Sequence, residues 1–158
     1  DPSSRPSANA TQPVRGARAV GSVYRRSMER RAINPWPWSV EMGFQQAVEV
    51  SGERRTLYCS GQTSVDETGT PLHAGDMAAQ VNQALDNLEA VLAGADMTLA
   101  DVVRLNMYTT DVDGCMGALL EVGERLATSG LQQCGTLLGV QRLAFPELMI
   151  ELEATAEA

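Results

Sequence analysis

The chain of 158 residues contains no lysine; all 12 of its cationic side chains are arginines. Genomic base composition accounts for such a bias, but the consequence is chemical. A Schiff base on lysine is excluded, and with it a lysine anchor for pyridoxal phosphate. Histidine is nearly absent as well: His73 stands alone, beside an expected turn. A Ser-His-Asp triad would have to use it, and no Gly-x-Ser-x-Gly elbow is present. Cys59, Cys115 and Cys134 are widely spaced and form no CxxC pair. An odd count of this kind reads as free thiols, and one histidine with scattered cysteines makes no convincing zinc site. No cofactor is therefore expected. No apolar run approaches the roughly 18 residues of a membrane span. The polar start, rich in Arg, Pro and Ser, lacks the apolar stretch of a secretory signal. The expectation is a cytoplasmic protein with no membrane partner.

What is present is ordinary in amount and uneven in distribution. Hydrophobic residues make up 44%, and the length suits one domain with a single core. Residues 1–31 carry seven arginines against two acids, a balance of +5, whereas residues 32–158 carry five arginines against 18 acids, a balance of −13. The chain is therefore divided into a basic, flexible segment at 1–31 and an acidic domain at 32–158. A domain so acidic should repel nucleic acid. The basic segment reads as a solvated leader, or else as a contact for an acidic partner.

Residues 1–30 show little periodicity and are expected to be mobile unless docked. Ile33-Asn34-Pro35-Trp36-Pro37-Trp38 should be extended, because its two prolines remove backbone donors and disfavour a helix. Val40–Val50 and Arg54–Ser60 read as a hairpin closed at Ser51-Gly52-Glu53. Asp76 is a plausible N-cap for a helix ending near Gly94, with Met77, Val81, Ala84, Leu85, Leu88, Val91 and Leu92 on one face. Thr98-x-x-Asp101 has the form of a capping box. Val103–Thr109 alternates as a strand, with Val103, Leu105 and Met107 on one side. Val112–Thr128 is a weaker helix, since Gly114, Gly117 and Gly123 each cost about 1 kcal/mol relative to alanine. Its apolar side is Met116, Leu119, Leu120, Val122 and Leu126. Thr136–Leu143 and Leu148–Ala156 close the chain as strands. The order β-β-α-β-α-β-β, with two helices on one face of a sheet, is an α+β fold. In the last strand Ile150, Leu152 and Ala154 oppose Glu151, Glu153 and Thr155. Either the second face is wet, or it is buried and its acids need partners from a neighbouring chain.

Several short patterns stand in order along the chain: Ser60-Gly61-Gln62, Asp76-x-x-Ala79-Gln80-x-x-x-Ala84-Leu85-x-Asn87-Leu88, Asp101-Val102-Val103, Thr110-Asp111, Val140-x-Arg142-Leu143 and Ile150-Glu151-Leu152-Glu153-Ala154. Taken together, from about Phe44 to Ala156, they resemble the Rid (YjgF/YER057c/UK114) family of enamine/imine deaminases. The resemblance implies a chorismate-mutase-like fold and a homotrimer. The three sheets would form an inner barrel, with a small-molecule cleft between each pair of neighbouring chains. It also implies a site. Glu151 matches the glutamate that orients the attacking water, and Ser60 and Gly61 match the cleft floor. The arginine that grips the substrate carboxylate falls at Gly135, followed by Thr136 and then by Leu137 in place of a cysteine. The cleft tyrosine falls at Phe44 and the helix asparagine near Leu119. Trp36, Trp38 and Cys134 stand close enough to contribute, the tryptophans either to the pocket or to packing.

Without a guanidinium there is no bidentate grip on a carboxylate. The expectation is thus an atypical member of the family. Its cleft would take a neutral or weakly polar imine or enamine metabolite of a specialised pathway, and Glu151 would serve as acid/base or hold the water. The competing reading is a non-catalytic ligand-binding or regulatory trimer. General clearance of 2-imino acids is the least favoured, unless Arg142 or an arginine of the leading segment replaces the missing one.

Overall fold

The computed structural model describes residues 27–35, 37–41 and 43–158. The expected mobility of residues 1–26 and the placement of Trp36 lie outside the described residues.

The longest helix, α2 (Met77–Ala93), starts where the sequence signal puts it. The Asp76 carboxylate accepts from Ala79 N at 3.0 Å, and Gly94 caps the other end. Met77, Val81, Ala84, Leu85, Leu88 and Leu92 are buried, and Val91 lies outside the stripe, exposed to solvent. Two amides on α2 tie the loops of the sheet to the helix. Gln80, fully buried, donates to Glu147 O at 2.7 Å and accepts from Met149 N at 2.7 Å. Asn87 donates to Thr63 O and Val65 O, each at 2.9 Å. These bonds give Gln80 and Asn87 a structural reason, because each side-chain amide hydrogen-bonds backbone groups at the ends of the sheet and in its loops.

The main sheet runs in the order β3 (Thr56–Tyr58), β7 (Ile150–Glu157), β5 (Val102–Thr109), β6 (Leu137–Gly139), and β4 (Gln62–Thr63) also pairs with β7. The β7 strand is antiparallel to β3, β4 and β5, whereas β6 runs parallel to β5. Ile150, Leu152, Ala154 and Ala156 face the helices and are buried. The capping box at Thr98 and Asp101 forms, over a 3-10 turn (Leu99–Asp101) that delivers the chain into β5. The architecture is the expected α+β one, with helices on one face of a mixed sheet.

Tertiary pairing overrides four local expectations. The hairpin of residues 40–60 does not form. Instead Trp38–Glu41 is a short helix, α1, and β2 (Ala47–Ser51) pairs with β1 (Glu29–Ile33), from Glu29↔Ser51 to Ile33↔Ala47. The expected boundary at 31/32 thus falls inside a strand. Arg30 docks this ribbon on the main sheet, donating to Ala100 O, Asp101 O and Glu157 O. The second correction is in β5, where an irregularity between Val102 and Arg104 resets the alternation. Val102 joins the core, and Val103 shares a surface depression with Arg104 instead of lying with Leu105 and Met107. Third, the helix over 112–128 breaks at Val122 into α3 (Val112–Glu121) and α4 (Gly123–Thr128). Finally, β6 is shorter than expected, with 140–149 forming a loop.

The α3 helix begins on Asp111, whose carboxylate accepts from Gly114 N at 3.0 Å. A side chain at 114 would press on that carboxylate, since a Cβ there would lie 2.4 Å from Asp111 Oδ2. Arg125 on α4 clamps the helix layer, bonding Asn82 O at 3.1 Å, Asp86 at 2.6 Å and Glu89 at 2.7 Å across on α2.

Candidate functional site

Residues expected to share one cleft fall into two groups on opposite faces of the sheet. The division follows from strand alternation, in which successive side chains point to opposite sides. Met107 and Leu152 are paired and face the helices, while Tyr108 and Glu151, the next pair, face the other way.

On the helix side a cavity of about 610 Å³ opens between β5, α3, α4 and the α1–β2 turn. Phe44, Leu119, Gly135, Thr136, Leu137 and Trp38 all line it. Trp38 and Phe44 meet edge to face, with ring centroids 5.6 Å apart and planes at 74°. The remaining wall is largely apolar, with Leu105, Met107, Met116, Leu120, Leu126 and Leu131. Glu41 and Gln133 add polar groups. The sequence signal for this wall was the apolar side of 112–128. Cys115 and Ala118 are the fully buried residues of α3, Leu119 packs partly against the core, and Met116, Leu119 and Leu120 face the cavity. Leu120 remains 84% exposed. Gln133 carried no recognisable signal.

Gly135 has a backbone reason of its own. Cys134 O accepts from Leu105 N at 2.9 Å and Thr136 O from Met107 N at 2.8 Å, so residues 134–136 lie flat along β5. A Cβ at 135 would stand 1.8 Å from Leu105 O and 2.8 Å from its carbonyl carbon. The backbone path at Gly135 thus leaves no room for a side chain. Cys134 does not join the cavity. It is bridged to Arg104, lines the depression on the opposite face, and its Sγ donates to Val103 O at 3.2 Å. Arg142 is exposed and is not part of the cavity wall. Arg30 is engaged by β1 docking and Arg31 by Glu49 at 2.9 Å.

On the open face the second group assembles around Glu151. The segment Ser60-Gly61 runs beside β7, with Cys59 N donating to Ala154 O at 2.9 Å and Gln62 pairing with Leu152. Glu151 is half-buried and packs directly over Gly61, so that a Cβ on Gly61 would lie 1.7 Å from Glu151 Oε1. A larger residue at 61 would push the carboxylate aside. Ser60, Gly61 and Glu151 are therefore neighbours on this face. Tyr108 stands opposite Glu151 and donates to Glu153 Oε2 at 2.6 Å. That bond holds the Glu153 carboxyl below its usual value, helped by Asn106, and raises the Tyr108 phenol. Glu157 pairs with Arg54 at 2.7 Å. Two acids of this face thus find partners within their own chain.

Burial raises the thiols of Cys59 and Cys115, which makes both poor nucleophiles. Among the described residues no group of three or more His, Cys, Asp or Glu could hold a metal ion, and no helix is long and apolar enough to cross a membrane.

Comparison with known proteins places the chain in a family and a fold. The Endoribonuclease L-PSP family profile matches residues 38–158. Protein DfrA of Myxococcus xanthus is 32% identical over 133 residues, covering 83% of this chain and 98% of that protein. A human 2-iminobutanoate/2-iminopropanoate deaminase is 33% identical over 88 residues, 55% of this chain and 62% of that protein. The Rid-family protein YyfB from Yersinia pestis superposes with a TM-score of 0.71 at 39% identity, covering 80% of this chain and 97% of that one. The fold is the chorismate-mutase-like one of these structures, and the chain belongs to the Endoribonuclease L-PSP (YjgF/Rid) family.

Proposed function

We propose that the protein is an atypical Rid enzyme that hydrolyses a neutral or weakly polar imine or enamine in a cleft between two chains. The observation that carries the enzymatic reading is the Glu151 carboxylate seated on Gly61 beside Ser60. In this position it can take a proton from water and pass it to the substrate nitrogen. The water oxygen bonds to the imine carbon to give a carbinolamine, Glu151 then moves the hydroxyl proton to the amine, the carbon–nitrogen bond breaks, and a carbonyl compound and ammonia leave. An enamine enters the same path once its N–H proton has shifted to carbon to give the imine. Glu151 and the cavity occupy opposite faces of one chain's sheet. A single site that uses both therefore needs the carboxylate of one chain against the cavity of another, and this supports a homotrimer. The acidic balance of residues 32–158 argues against RNA as the substrate.

The relatives named as 2-iminobutanoate deaminases suggest the reaction type. Position 135 argues against their anionic substrate, because no cation replaces the missing one in the described cavity wall. A second reading, ligand binding without chemistry, is favoured by the same separation of Glu151 from the cavity within one chain. Ammonia release from neutral imines generated in situ, run beside 2-iminobutanoate, separates the two. The expected outcome is turnover of the neutral imine, weak turnover of 2-iminobutanoate, and loss of both in Glu151→Gln while light scattering shows an unchanged oligomer. Retention of turnover in that variant would remove Glu151 from the mechanism. Ligand that binds both proteins equally and is never altered would establish the binding reading.

A further inference from the structure

Among the described residues of the cavity wall, Gln133 carries a buried side-chain atom with no hydrogen-bond partner, its Oε1. The residue is 7% exposed. Its position is set by the wall opposite α3. Gln133 O accepts from Gln45 N at 2.8 Å, and Gln133 Nε2 faces Gly43 O at 3.5 Å. An amide turned the other way would set Oε1 against the Gly43 carbonyl, oxygen against oxygen. The orientation that keeps Nε2 on Gly43 is the one that leaves the acceptor without a donor. A buried acceptor in this condition is destabilising, and a ligand that brings a donor recovers the loss.

The surrounding wall narrows what that ligand can be. Trp38, Phe44, Leu119 and Leu137 supply apolar and aromatic contact. Among the described lining residues there is no arginine, while Glu41 contributes a carboxylate, so an anion is disfavoured. A volume of about 610 Å³ is in the range of small-molecule sites.

We infer that the cavity selects neutral, largely apolar ligands bearing an N–H or O–H donor, and that Gln133 Oε1 is the acceptor that reads this donor. The inference rests on the reading of this cavity as the ligand side of the proposed cleft and names the class of compound that enters it. It does not depend on Glu151 being catalytic.

Indole and benzofuran test it, since they match in shape and differ in the ring N–H. Ligand-observed NMR titration of the full chain should show indole binding roughly tenfold more tightly, the size of effect expected when a buried acceptor gains or misses its partner. In Gln133→Met the two probes should bind alike. Should that variant fail to fold, the natural chain still reports: the side-chain carbonyl carbon of Gln133 should shift with indole and not with benzofuran. Equal affinities in the natural chain would overturn the inference. So would a preference that survives in Gln133→Met, a carbonyl signal indifferent to both probes, or no binding of either at millimolar concentration. Indole and benzofuran are not hydrolysed, so failure of the hydrolytic reading would appear in ammonia release from imines and not in this preference.

Discussion

Replacing Gly135 by alanine adds one methyl group at a place where the backbone leaves no space. The new Cβ would meet Leu105 O at 1.8 Å, and that oxygen belongs to a strand held between β7 and β6. No side-chain rotation relieves a contact with backbone, so residues 134–136 must retreat from β5. Retreat loosens Leu105 N–Cys134 O (2.9 Å), Met107 N–Thr136 O (2.8 Å) and Cys134 N–Val103 O (3.0 Å). Overpacking costs about 1–3 kcal/mol, and each weakened hydrogen bond about 0.5–1.5 kcal/mol; partial relaxation puts the total at about 2–4 kcal/mol. With a slope ordinary for a domain of this size, the urea midpoint should fall by about 1–2 M at fixed protein concentration. Gly117→Ala is the internal control, because nothing lies within 4 Å of a Cβ at that helical position. It should gain about 0.5–1 kcal/mol. A Gly135→Ala midpoint equal to that of the natural chain would refute the geometry. Gly135→Arg begins with the same Cβ and should lose stability without gaining a grip on carboxylates.

Two further outcomes follow from contacts outside the cavity. Arg30→Met should free the β1–β2 ribbon, since it removes the donors to Ala100, Asp101 and Glu157 carbonyls; amide exchange at 29–33 and 47–51 should accelerate while α2 is unaffected. Tyr108→Phe should raise the titration midpoint of the Glu153 carboxyl, followed by carbon-detected NMR, because its hydrogen bond is the largest cause of the depressed value. The sign is that of any depressed carboxylate: its contribution to stability is present above the ordinary glutamate value and is lost as pH falls through the lower folded one. An unchanged midpoint in the variant would show that the Tyr108–Glu153 bond does not form in solution.

Local chemistry was legible wherever a residue acts on its own neighbourhood. The Asp76 cap, the Thr98/Asp101 box and the spacing of Leu85, Leu88 and Leu92 need only the adjacent turns of chain. The closeness of Ser60, Gly61 and Glu151, and the lining of the cavity by Phe44, Leu119, Thr136 and Leu137, came through resemblance. Val103 was misplaced because an irregularity in a strand is invisible to alternation. The hairpin over 40–60 was misread because Ala47–Ser51 has two possible partners in the chain, and local pattern cannot choose between them. Gln133 was missed because an amide becomes informative only when its oxygen is buried without a donor.

The sequence by itself determined the α+β class, the α2 helix with its Asp76 cap, the absence of lysine chemistry and the presence of a glycine at position 135. These are properties of residue identity and short-range periodicity. Only the tertiary structure decided that β2 pairs with β1, that residues 134–136 press too closely on β5 for any side chain, and that Glu151 and the apolar cavity lie on opposite faces of one sheet. Each of these depends on which distant backbone a segment meets and on the direction of a Cα–Cβ bond, and neither is encoded in a window of neighbouring residues.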